Sequence, residues 1–328
     1  MNKKHYLSGK IILVTGGTGT FGRAFVSKLL SVKDVKKVIV LSRDEYKQSE
    51  MRREFTDKRL NFFLGDVRDY LRLKRAFVGV DVVVHAAALK QVPATEYNPL
   101  EAVKTNISGT QNVVDAALDC CVDKVLLVSS DKAVEPVNLY GATKLVAERL
   151  IVASNAYRGE KGRTKFSVVR YGNVIGSRGS VIELVERQRP GGVITLTDDR
   201  MTRFWIHIND VMNIVMNILE VMEGGEIFIP KMKSLKVVDV LTALAPECKI
   251  DVIGIRPGEK LHETLITKHE VLRTKDLNMM FVILPEFVSW ASKNIFSKKK
   301  PFPNNSIYNS GNADFLLHKK EAKNILKI

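Results

Sequence analysis

Two pairs of polar residues within one stretch, SSDKAVEPVNLYGATK at positions 129–144, have side chains suited to proton transfer. Tyr140 and Lys144 stand four positions apart, so on a helix they share one face and the ammonium lies near the phenol. A neighbouring cation lowers the pKa of a tyrosine, which is about 10 when unperturbed. Such a tyrosine can take a proton from a hydroxyl group while hydride leaves the same carbon. The second pair, Asp131 and Lys132, supplies a carboxyl group and an amine.

A lone Tyr-x-x-x-Lys occurs on many exposed helices, so the functional interpretation of Tyr140 and Lys144 depends on where this stretch lies in the chain. It follows the apolar run KVLLV at 124–128, which is typical of a buried strand. Residues that follow a buried parallel strand lie at the carboxyl edge of the sheet, where α/β proteins bind ligands. We therefore predict that Tyr140 and Lys144 are catalytic and that both also contact a cofactor.

A phosphate-binding turn is predicted near the N-terminus. The apolar run KIILVTG at 10–16 leads into glycines at 16, 19 and 22, and the amphipathic run RAFVSKLL follows. A strand, a glycine turn and a helix in this order allow close backbone approach to pyrophosphate, with the helix N-terminus aimed at the anion. The predicted cofactor contacts in this turn are Gly16, Thr18, Gly19, Thr20, Phe21 and Gly22.

The second predicted strand, KKVIVLSRDE, ends about twenty residues after Gly22, where an NAD enzyme usually places an acid on the ribose 2′-hydroxyl. Here Ser42, Arg43 and Lys47 supply a hydroxyl and two cations, which suit a 2′-phosphate. The sequence therefore favours NADP over NAD. Asp44 leaves NAD open as the alternative, because its carboxylate can instead reach the ribose, and the two cations can be surface charges.

Two further strand ends are predicted to contact the cofactor. Asp66 and Val67 follow the run LNFFLG and are expected beside the adenine. Ala86, Ala87 and Ala88 follow the run DVVVH, and their small side chains let backbone approach a flat ring. Ser129, at the end of the strand before the catalytic stretch, completes this group.

Strands alternate regularly with helical stretches as far as about residue 176, and the pattern then breaks into shorter pieces. This alternation predicts an α/β fold with a doubly wound parallel sheet of the Rossmann type. We expect a dinucleotide-binding domain at 1–172 plus about 208–230. A smaller, mostly C-terminal substrate lobe is expected at about 173–207 plus 231–328.

Composition narrows the class of protein. The chain of 328 residues has no apolar run near the roughly 20 residues that cross a bilayer, and three cysteines make no disulfide framework. We therefore expect a cytoplasmic protein. The net charge of +15 permits nucleic-acid binding, but no aromatic-plus-basic, zinc-finger or helix-turn-helix pattern accompanies it. Attraction for an anionic cofactor and substrate accounts for the charge without a nucleic-acid partner.

Taken together, the motifs resemble those of one enzyme family. They are TGGTGTFG, HAAALK, SSDKAVEP, YGATK, RYGNVIGSRGSV, DDRMTRFWI and IRPGEKLHETL. The chain resembles an extended short-chain dehydrogenase/reductase and, more narrowly, the inverting UDP-N-acetylglucosamine 4,6-dehydratases of pathways such as pseudaminic acid biosynthesis. The likeness runs from about residue 8 to the C-terminus. It implies UDP-N-acetylglucosamine as substrate, bound NADP, no metal and no membrane partner.

The resemblance also implies catalytic roles. Tyr140, assisted by Lys144, would take the 4-hydroxyl proton, and protonated Asp131 would help the 6-hydroxyl leave as water. Lys132 stands where retaining relatives carry a glutamate, and it would remove the proton on carbon 5. A lysine acting as base must be neutral, so we expect burial or the neighbouring Lys144 to lower the pKa of Lys132.

By the same resemblance, Lys90, Asn173, Arg203 and Arg256 contact the substrate, the arginines being suited to its diphosphate. Asn106 is expected to tie the active-site loop to the following helix and is counted with the cofactor contacts. Relatives form dimers or hexamers, so a homo-oligomer is expected.

Three other functions are weighed against this one. A UDP-sugar 4-epimerase would use the same tyrosine and lysine, but it needs no acid–base pair at carbons 5 and 6. A retaining 4,6-dehydratase is disfavoured by Lys132. A non-catalytic NADP-binding or RNA-binding relative is allowed by the positive charge, and salt-sensitive RNA binding would support it.

Overall fold

The fold is built from short β-branched runs such as IILVT and KVLLVSS, which are buried along most of their length. The computed structural model describes residues 6–157, 163–177, 179–286, 294–303 and 307–326. The strands are β1 Ile11–Thr15, β2 Lys37–Ser42, β3 Leu60–Leu64, β4 Val82–His85, β5 Lys124–Ser130, β6 Lys165–Tyr171, β7 Asn173–Ile175, β8 Val193–Leu196, β9 Thr202–His207, β10 Ile227–Pro230, β11 Lys233–Lys236, β12 Lys249–Val252, β13 Thr264–Ile266, β14 Thr274–Asp276, β15 Met280–Ile283, β16 Lys300–Pro301 and β17 Tyr308–Asn309.

Helices connect and cover these strands. They are α1 Thr20–Leu30, α2 Glu45–Glu54, α3 Tyr70–Phe77, α4 Val92–Tyr97, α5 Pro99–Val103, α6 Gly109–Asp119, α7 Leu139–Ala153, α8 Val181–Gln188, α9 Ile208–Val221, α10 Val237–Leu244, α11 Lys268–Val271 and α12 Lys319–Leu326. Among the residues described, none of the helices has both the length and the apolar character that a bilayer crossing requires.

The large sheet has the strand order β16-β14-β15-β10-β6-β5-β4-β1-β2-β3. From β3 to β10 neighbouring strands are parallel, with Leu13 of β1 paired to Ile39 on one side and Val83 on the other. The chain therefore winds outward in both directions from β1 and leaves a crevice at the carboxyl ends of β1 and β4. The predicted doubly wound fold is confirmed.

Three strands of the C-terminal region extend this sheet with antiparallel pairing. β15 pairs with β10, and β14 pairs with both β15 and β16. The sequence placed everything from residue 231 onward in the smaller lobe, whereas β14, β15 and β16 lie in the large sheet. Apolar side chains of β15 pack into the main core, which explains why they do not stay with the lobe.

The smaller lobe is made of short sheets. β7, β9 and β11 form one, β8 and β12 pair in parallel, and β13 pairs with β17. Helices α8, α10 and α12 cover the first two sheets through two small apolar clusters, one centred on Trp205 and Leu235 and the other on Ile194 and Leu241. Apolar residues of β13 and β17 pack into the main core. The lobe faces the carboxyl edge of the large sheet because β7 follows directly from β6.

The turn that follows β5 packs closely against α7. Residues Asp131–Ala133 form one turn of 3-10 helix, and Asn138 caps α7 by accepting a hydrogen bond from the backbone N–H of Gly141. A Cβ on Gly141 would lie 2.2 Å from the carbonyl oxygen of Lys132. Only glycine therefore lets the turn that carries Asp131 and Lys132 touch the first turn of the helix that carries Tyr140.

Replacing Gly141 with Ala should lower the free energy of unfolding by roughly 1–3 kcal/mol, because the turn or the helix must move to accept the added carbon. Urea unfolding of the purified variant and the wild type measures this. Gly191→Ala is the matched control, since its Cβ would have no neighbour within 4 Å and its effect should stay within about 0.5 kcal/mol. Equal stability of the two variants would contradict the prediction.

Candidate active site

A cavity of about 640 Å³ lies along the carboxyl edge of the large sheet and reaches the smaller lobe. Most of the predicted site residues line it. They are Gly16, Thr18, Gly19, Thr20, Phe21, Gly22, Ser42, Arg43, Asp44, Lys47, Asp66, Val67, Ala86, Ala87, Ala88, Lys90, Ser129, Lys132, Tyr140, Lys144 and Asn173. Four other predicted residues, Asn106, Asp131, Arg203 and Arg256, do not belong to this lining.

The glycine turn has the geometry of an anion site. Gly16 has a φ of +64°, and a Cβ there would lie 2.8 Å from the backbone nitrogen of Ala87. A Cβ on Gly22 would lie 2.4 Å from the Cα of Gly17. Gly19 is the N-cap of α1 and offers no side chain to the helix N-terminus. The N-terminus of α1 therefore has no side-chain cap and lies at the cavity, where the positive end of its helix dipole suits an anion.

At the end of the cavity where the ribose 2′-position is predicted, the carboxylate of Asp44 forms the N-cap of the helix that follows it, α2. It caps α2 by accepting from the backbone N–H of Lys47 at 2.9 Å, and it also accepts from the Lys47 ammonium at 2.5 Å. Arg43 is half exposed, with its guanidinium 3.8 Å from the carboxylate of Asp66. The hydroxyls of Thr18 and Ser42 are 3.0 Å apart. Two cations and two hydroxyls therefore edge this end of the cavity.

Two buried hydroxyls inside the cavity fit a polar ligand. The side-chain oxygens of Ser129 and Thr105 have no hydrogen-bond partner within the described ranges, although both residues line the cavity. Buried hydroxyls are normally hydrogen-bonded, so such atoms suit contact with a bound dinucleotide. Thr105 is a site residue that the motifs did not predict, and it lies in a π-helical turn, Lys104–Ser108, between α5 and α6.

Asn106, in the same π-helical turn, joins the active-site loop to two helices. Its side-chain oxygen accepts from the N–H of Leu89 at 2.8 Å, and its amide nitrogen donates to the carbonyl of Leu89 at 2.9 Å. The same nitrogen lies 3.0 Å from the hydroxyl of Thr143 on α7. Asn106 thus holds the loop after β4 against α7, the helix that carries Tyr140 and Lys144.

The carboxyl group of Asp131 is fully buried behind the cavity. Its Oδ1 accepts from the Ser130 hydroxyl at 2.8 Å and from the Lys132 ammonium at 3.0 Å. Its Oδ2 has no hydrogen-bond partner among the residues that the structure describes. The sequence pair Asp131–Lys132 is therefore a contact pair in the folded chain.

Lys144 and Tyr140 are both buried on α7, with their pKa values shifted by burial. Burial lowers the pKa of Lys144 to about 8, against the opposing charge of Glu148, and the ammonium donates to the carbonyl of Val128 at 2.7 Å. Burial raises the pKa of Tyr140, and Lys132 is the cation that opposes this rise. The prediction that Lys144 lowers the pKa of Tyr140 is wrong for this structure.

The expected lowering of the Lys132 pKa is also wrong. Burial by itself lowers it, but the carboxylates of Asp131 and Glu263 outweigh burial and raise the pKa of Lys132 above its ordinary value. The Glu263 carboxylate lies 3.4 Å from the Lys132 ammonium. Sequence analysis missed Glu263, although it lies in the quoted IRPGEKLHETL motif, because nothing local links it to residue 132.

The four predicted substrate contacts separate into two groups. Lys90 and Asn173 line the cavity, and Asn173 on β7 pairs with Trp205 on β9. The guanidinium of Arg203 donates to the backbone carbonyls of residues 202, 260 and 261. Arg256 is exposed on the loop between β12 and β13.

The chain is similar in sequence to a known protein family and to named enzymes. The family model described as polysaccharide biosynthesis protein matches residues 12–285. The chain is 49% identical over 280 residues to the UDP-N-acetylglucosamine 4,6-dehydratase (inverting) of Campylobacter jejuni, covering 85% of this chain and 84% of the relative. It is 41% identical over 276 residues to a UDP-glucose 4-epimerase of Rickettsia conorii, covering 82% and 81%.

Solved structures of related proteins have the same fold. Pen from Bacillus thuringiensis superposes with a TM-score of 0.90 at 39% identity, covering 98% of both chains. DesIV, a dTDP-glucose 4,6-dehydratase from Streptomyces venezuelae solved with NAD bound, superposes with a TM-score of 0.70 at 26% identity, covering 76% of this chain and 86% of that one.

The strand order and the tyrosine–lysine helix after β5 define an extended short-chain dehydrogenase/reductase. The chain belongs to the polysaccharide biosynthesis protein family, and within it to the group of the inverting UDP-N-acetylglucosamine 4,6-dehydratases. The family predicted from the motifs is confirmed.

The lowered pKa of Lys144 predicts a pH-dependent stability. A lysine with a pKa of about 8 when folded and about 10.5 when unfolded binds fewer protons in the folded state over that interval. Its burial therefore costs stability below pH 8, and the cost is relieved as the pH rises toward 10. Relative to Lys144→Met, the wild type should gain about 2 kcal/mol of unfolding free energy between pH 7 and pH 10.

Urea unfolding of both proteins at several pH values measures this gain, because subtracting the variant cancels all other titrating groups. A difference between the two proteins that is constant across the range would show that Lys144 titrates normally.

Proposed function

We propose that this protein catalyses the inverting 4,6-dehydration of UDP-N-acetylglucosamine to UDP-2-acetamido-2,6-dideoxy-β-L-arabino-hexos-4-ulose. One observation carries the proposal: the buried carboxylate of Asp131 contacts the Lys132 ammonium beside Tyr140 at the cavity, in a chain 49% identical to an enzyme named for this reaction. Tyrosine and lysine alone serve many oxidations of hydroxyl groups. The added carboxyl–amine pair is what an elimination across carbons 5 and 6 requires.

The cofactor is a nicotinamide dinucleotide, and we propose that it is NADP. The glycine turn and the α1 N-terminus would hold the pyrophosphate, with Ser129 and Thr105 contacting the nicotinamide half. Ser42, Arg43 and Lys47 would hold a 2′-phosphate, since Asp44 is engaged as the cap of α2. When bound, the nicotinamide supplies a reversible hydride acceptor that takes the carbon-4 hydride and returns it to carbon 6.

Proton transfer begins at Tyr140. Its phenolate takes the 4-hydroxyl proton as hydride leaves carbon 4, and this two-electron oxidation gives a 4-ketone and a neutral phenol. The Lys132 ammonium is the nearby cation that favours the phenolate in this step. The Lys144 ammonium instead donates to the carbonyl of Val128. The Ser130 hydroxyl lies in hydrogen-bond contact with the Tyr140 phenol, and it donates to the carboxylate of Asp131.

The Lys132–Asp131 contact prepares the elimination. The ammonium already donates to the carboxylate at 3.0 Å, so moving that one proton produces an amine and a carboxylic acid together. The amine takes the proton from carbon 5, which the 4-ketone acidifies. The carbon–oxygen bond at carbon 6 breaks, and the departing oxygen takes the proton of Asp131 and leaves as water. The pair thereby returns to its charged form.

Inversion is decided when carbon 5 regains a proton. Delivery to the face opposite the one that Lys132 deprotonated gives the L-arabino ring. We propose Tyr140 as the donor, because it holds the proton taken from the 4-hydroxyl.

We further propose that Lys90 and Asn173 contact the sugar nucleotide and that Arg203 and Arg256 bind its diphosphate. The two arginines would have to turn toward the cavity, because Arg203 is bonded to backbone carbonyls and Arg256 is exposed. A cytoplasmic homo-oligomer, a dimer or a hexamer, completes the proposal.

The function is tested by proton NMR of the purified protein with UDP-N-acetylglucosamine in deuterated buffer without added reductant. We expect a new methyl signal at carbon 6, a 4-keto product with L-arabino ring couplings, and deuterium at carbon 5. D-xylo couplings would make the enzyme retaining. The galacto isomer alone would make it a 4-epimerase, which the 41% identity to an enzyme of that name keeps as the second candidate.

The role of Lys132 has its own control in the same experiment. Lys132→Ala should reduce deuterium incorporation at carbon 5 at least about a hundredfold, because removal of a general base costs about 10²–10⁴ in rate. Lys36→Ala removes an exposed lysine at the opposite edge of the sheet and should change nothing. Undiminished exchange in Lys132→Ala would remove it as the base.

Cofactor preference is tested at Arg43. Replacing Arg43 with Ala should weaken NADP binding about tenfold, since a charge-assisted contact to phosphate contributes roughly 1.5–3 kcal/mol. NAD binding should change less than twofold, because NAD has no 2′-phosphate. Isothermal titration of both dinucleotides into wild type and variant measures this, and equal losses for the two would contradict an NADP site.

A further inference from the structure

A carboxylate from the smaller lobe reaches the catalytic end of the cavity. Glu263 immediately precedes β13, and only about 2% of it is exposed. Its Oε1 lies 3.4 Å from the ammonium of Lys132, and its Oε2 lies 3.1 Å from the ammonium of Lys260. Arg203 approaches the same Oε1 at 4.0 Å. Glu263 is thus surrounded by three cations.

These cations keep Glu263 ionised. Burial alone would raise the pKa of its carboxyl group, but Lys132, Arg203 and Lys260 together hold it below its ordinary value. The Lys132 ammonium is attracted by the carboxylates of Asp131 and Glu263 and repelled by the guanidinium of Arg203. Its other titratable neighbours are the phenol of Tyr140 and the amine of Lys90. Its ammonium is therefore held between one carboxylate from each lobe.

The two carboxylates cannot do the same work in the proposed elimination. Asp131 gives up its negative charge when it takes the proton of Lys132, and it regains that charge only as water leaves. The amine of Lys132 becomes an ammonium again when it takes the carbon-5 proton. A second anion that stays charged throughout stabilises that ammonium while it forms.

We propose that Glu263 is a positioning residue that acts through Lys132, as the permanent counter-ion of the ammonium formed when Lys132 takes the carbon-5 proton. Its geometry is set by the smaller lobe, so the base is complete only when that lobe is seated on the sheet. This inference rests on the proposed function and adds a residue to it.

The first test needs no turnover. Lys132 lines the cavity with 28% of its side chain exposed, so its amine can be acetylated by acetic anhydride and followed by peptide mass spectrometry. Only the neutral amine reacts. Glu263→Gln should speed acetylation of Lys132 about tenfold at a fixed pH, because loss of a close anion lowers a lysine pKa by about one unit or more.

Two variants separate charge from structure. Glu263→Asp keeps the anion, so acetylation of Lys132 should stay within about twofold of the wild type. Glu226→Gln alters a buried carboxylate that accepts from the hydroxyl of Ser167 and does not line the cavity, so it should lower stability and leave the labelling of Lys132 unchanged. Equal acceleration in the Asp and Gln variants would mean that access to the lysine changed, and it would overturn the proposal.

The second test follows the reaction. The rate of deuterium incorporation at carbon 5 gives kcat and KM for UDP-N-acetylglucosamine. In Glu263→Gln, kcat should fall at least about tenfold, and KM should stay within about twofold of the wild-type value. A loss confined to KM would instead make Glu263 a substrate contact. If the wild type does not turn over UDP-N-acetylglucosamine, the proposed function fails, and the acetylation rates still decide whether Glu263 is the counter-ion. Unchanged acetylation in Glu263→Gln would refute it.

Discussion

The candidate active site depends on one partly buried ammonium, that of Lys132. A charge in a protein interior is tolerated only when it is paired, and here the partners are Asp131, beside it in the sequence, and Glu263 from the smaller lobe. Since each partner belongs to a different part of the fold, the pairing fixes where the lobe sits relative to the sheet. The same contacts set the protonation state from which catalysis begins.

A second buried ion cluster supports the first. The guanidinium of Arg170 on β6 contacts the carboxylates of Glu148 on α7 and Glu270 on α11, and it donates to the carbonyl of Leu265 on β13. Helix α7 carries Tyr140 and Lys144, which we propose to be catalytic, and β13 follows Glu263 directly. Breaking a buried pair by removing one partner typically costs about 3–5 kcal/mol, so this cluster resists separation of the catalytic helix from the strand that positions Glu263.

The dinucleotide half was predictable because its signals are local. A strand, a glycine turn and a helix follow one another in the chain, and Gly16 adopts the positive φ that such a turn demands. The pair Tyr140 and Lys144 likewise lies on one helix, as the spacing indicated. The direction of the pKa shifts was not predictable, because burial and charges from distant segments set them, and both predicted shifts at Tyr140 and Lys132 were wrong.

By itself the sequence determined the doubly wound sheet, the cavity edge on which most of the site lies, and the family, since hydrophobic period and motif order need no knowledge of long-range contacts. Tertiary structure alone decided that Glu263 contacts Lys132, that Arg203 donates to the backbone near residue 260, and that β14, β15 and β16 extend the large sheet. The physical reason is that these contacts join residues far apart in the sequence. Coulombic and packing interactions act through space, so their partners are fixed only when the chain has folded.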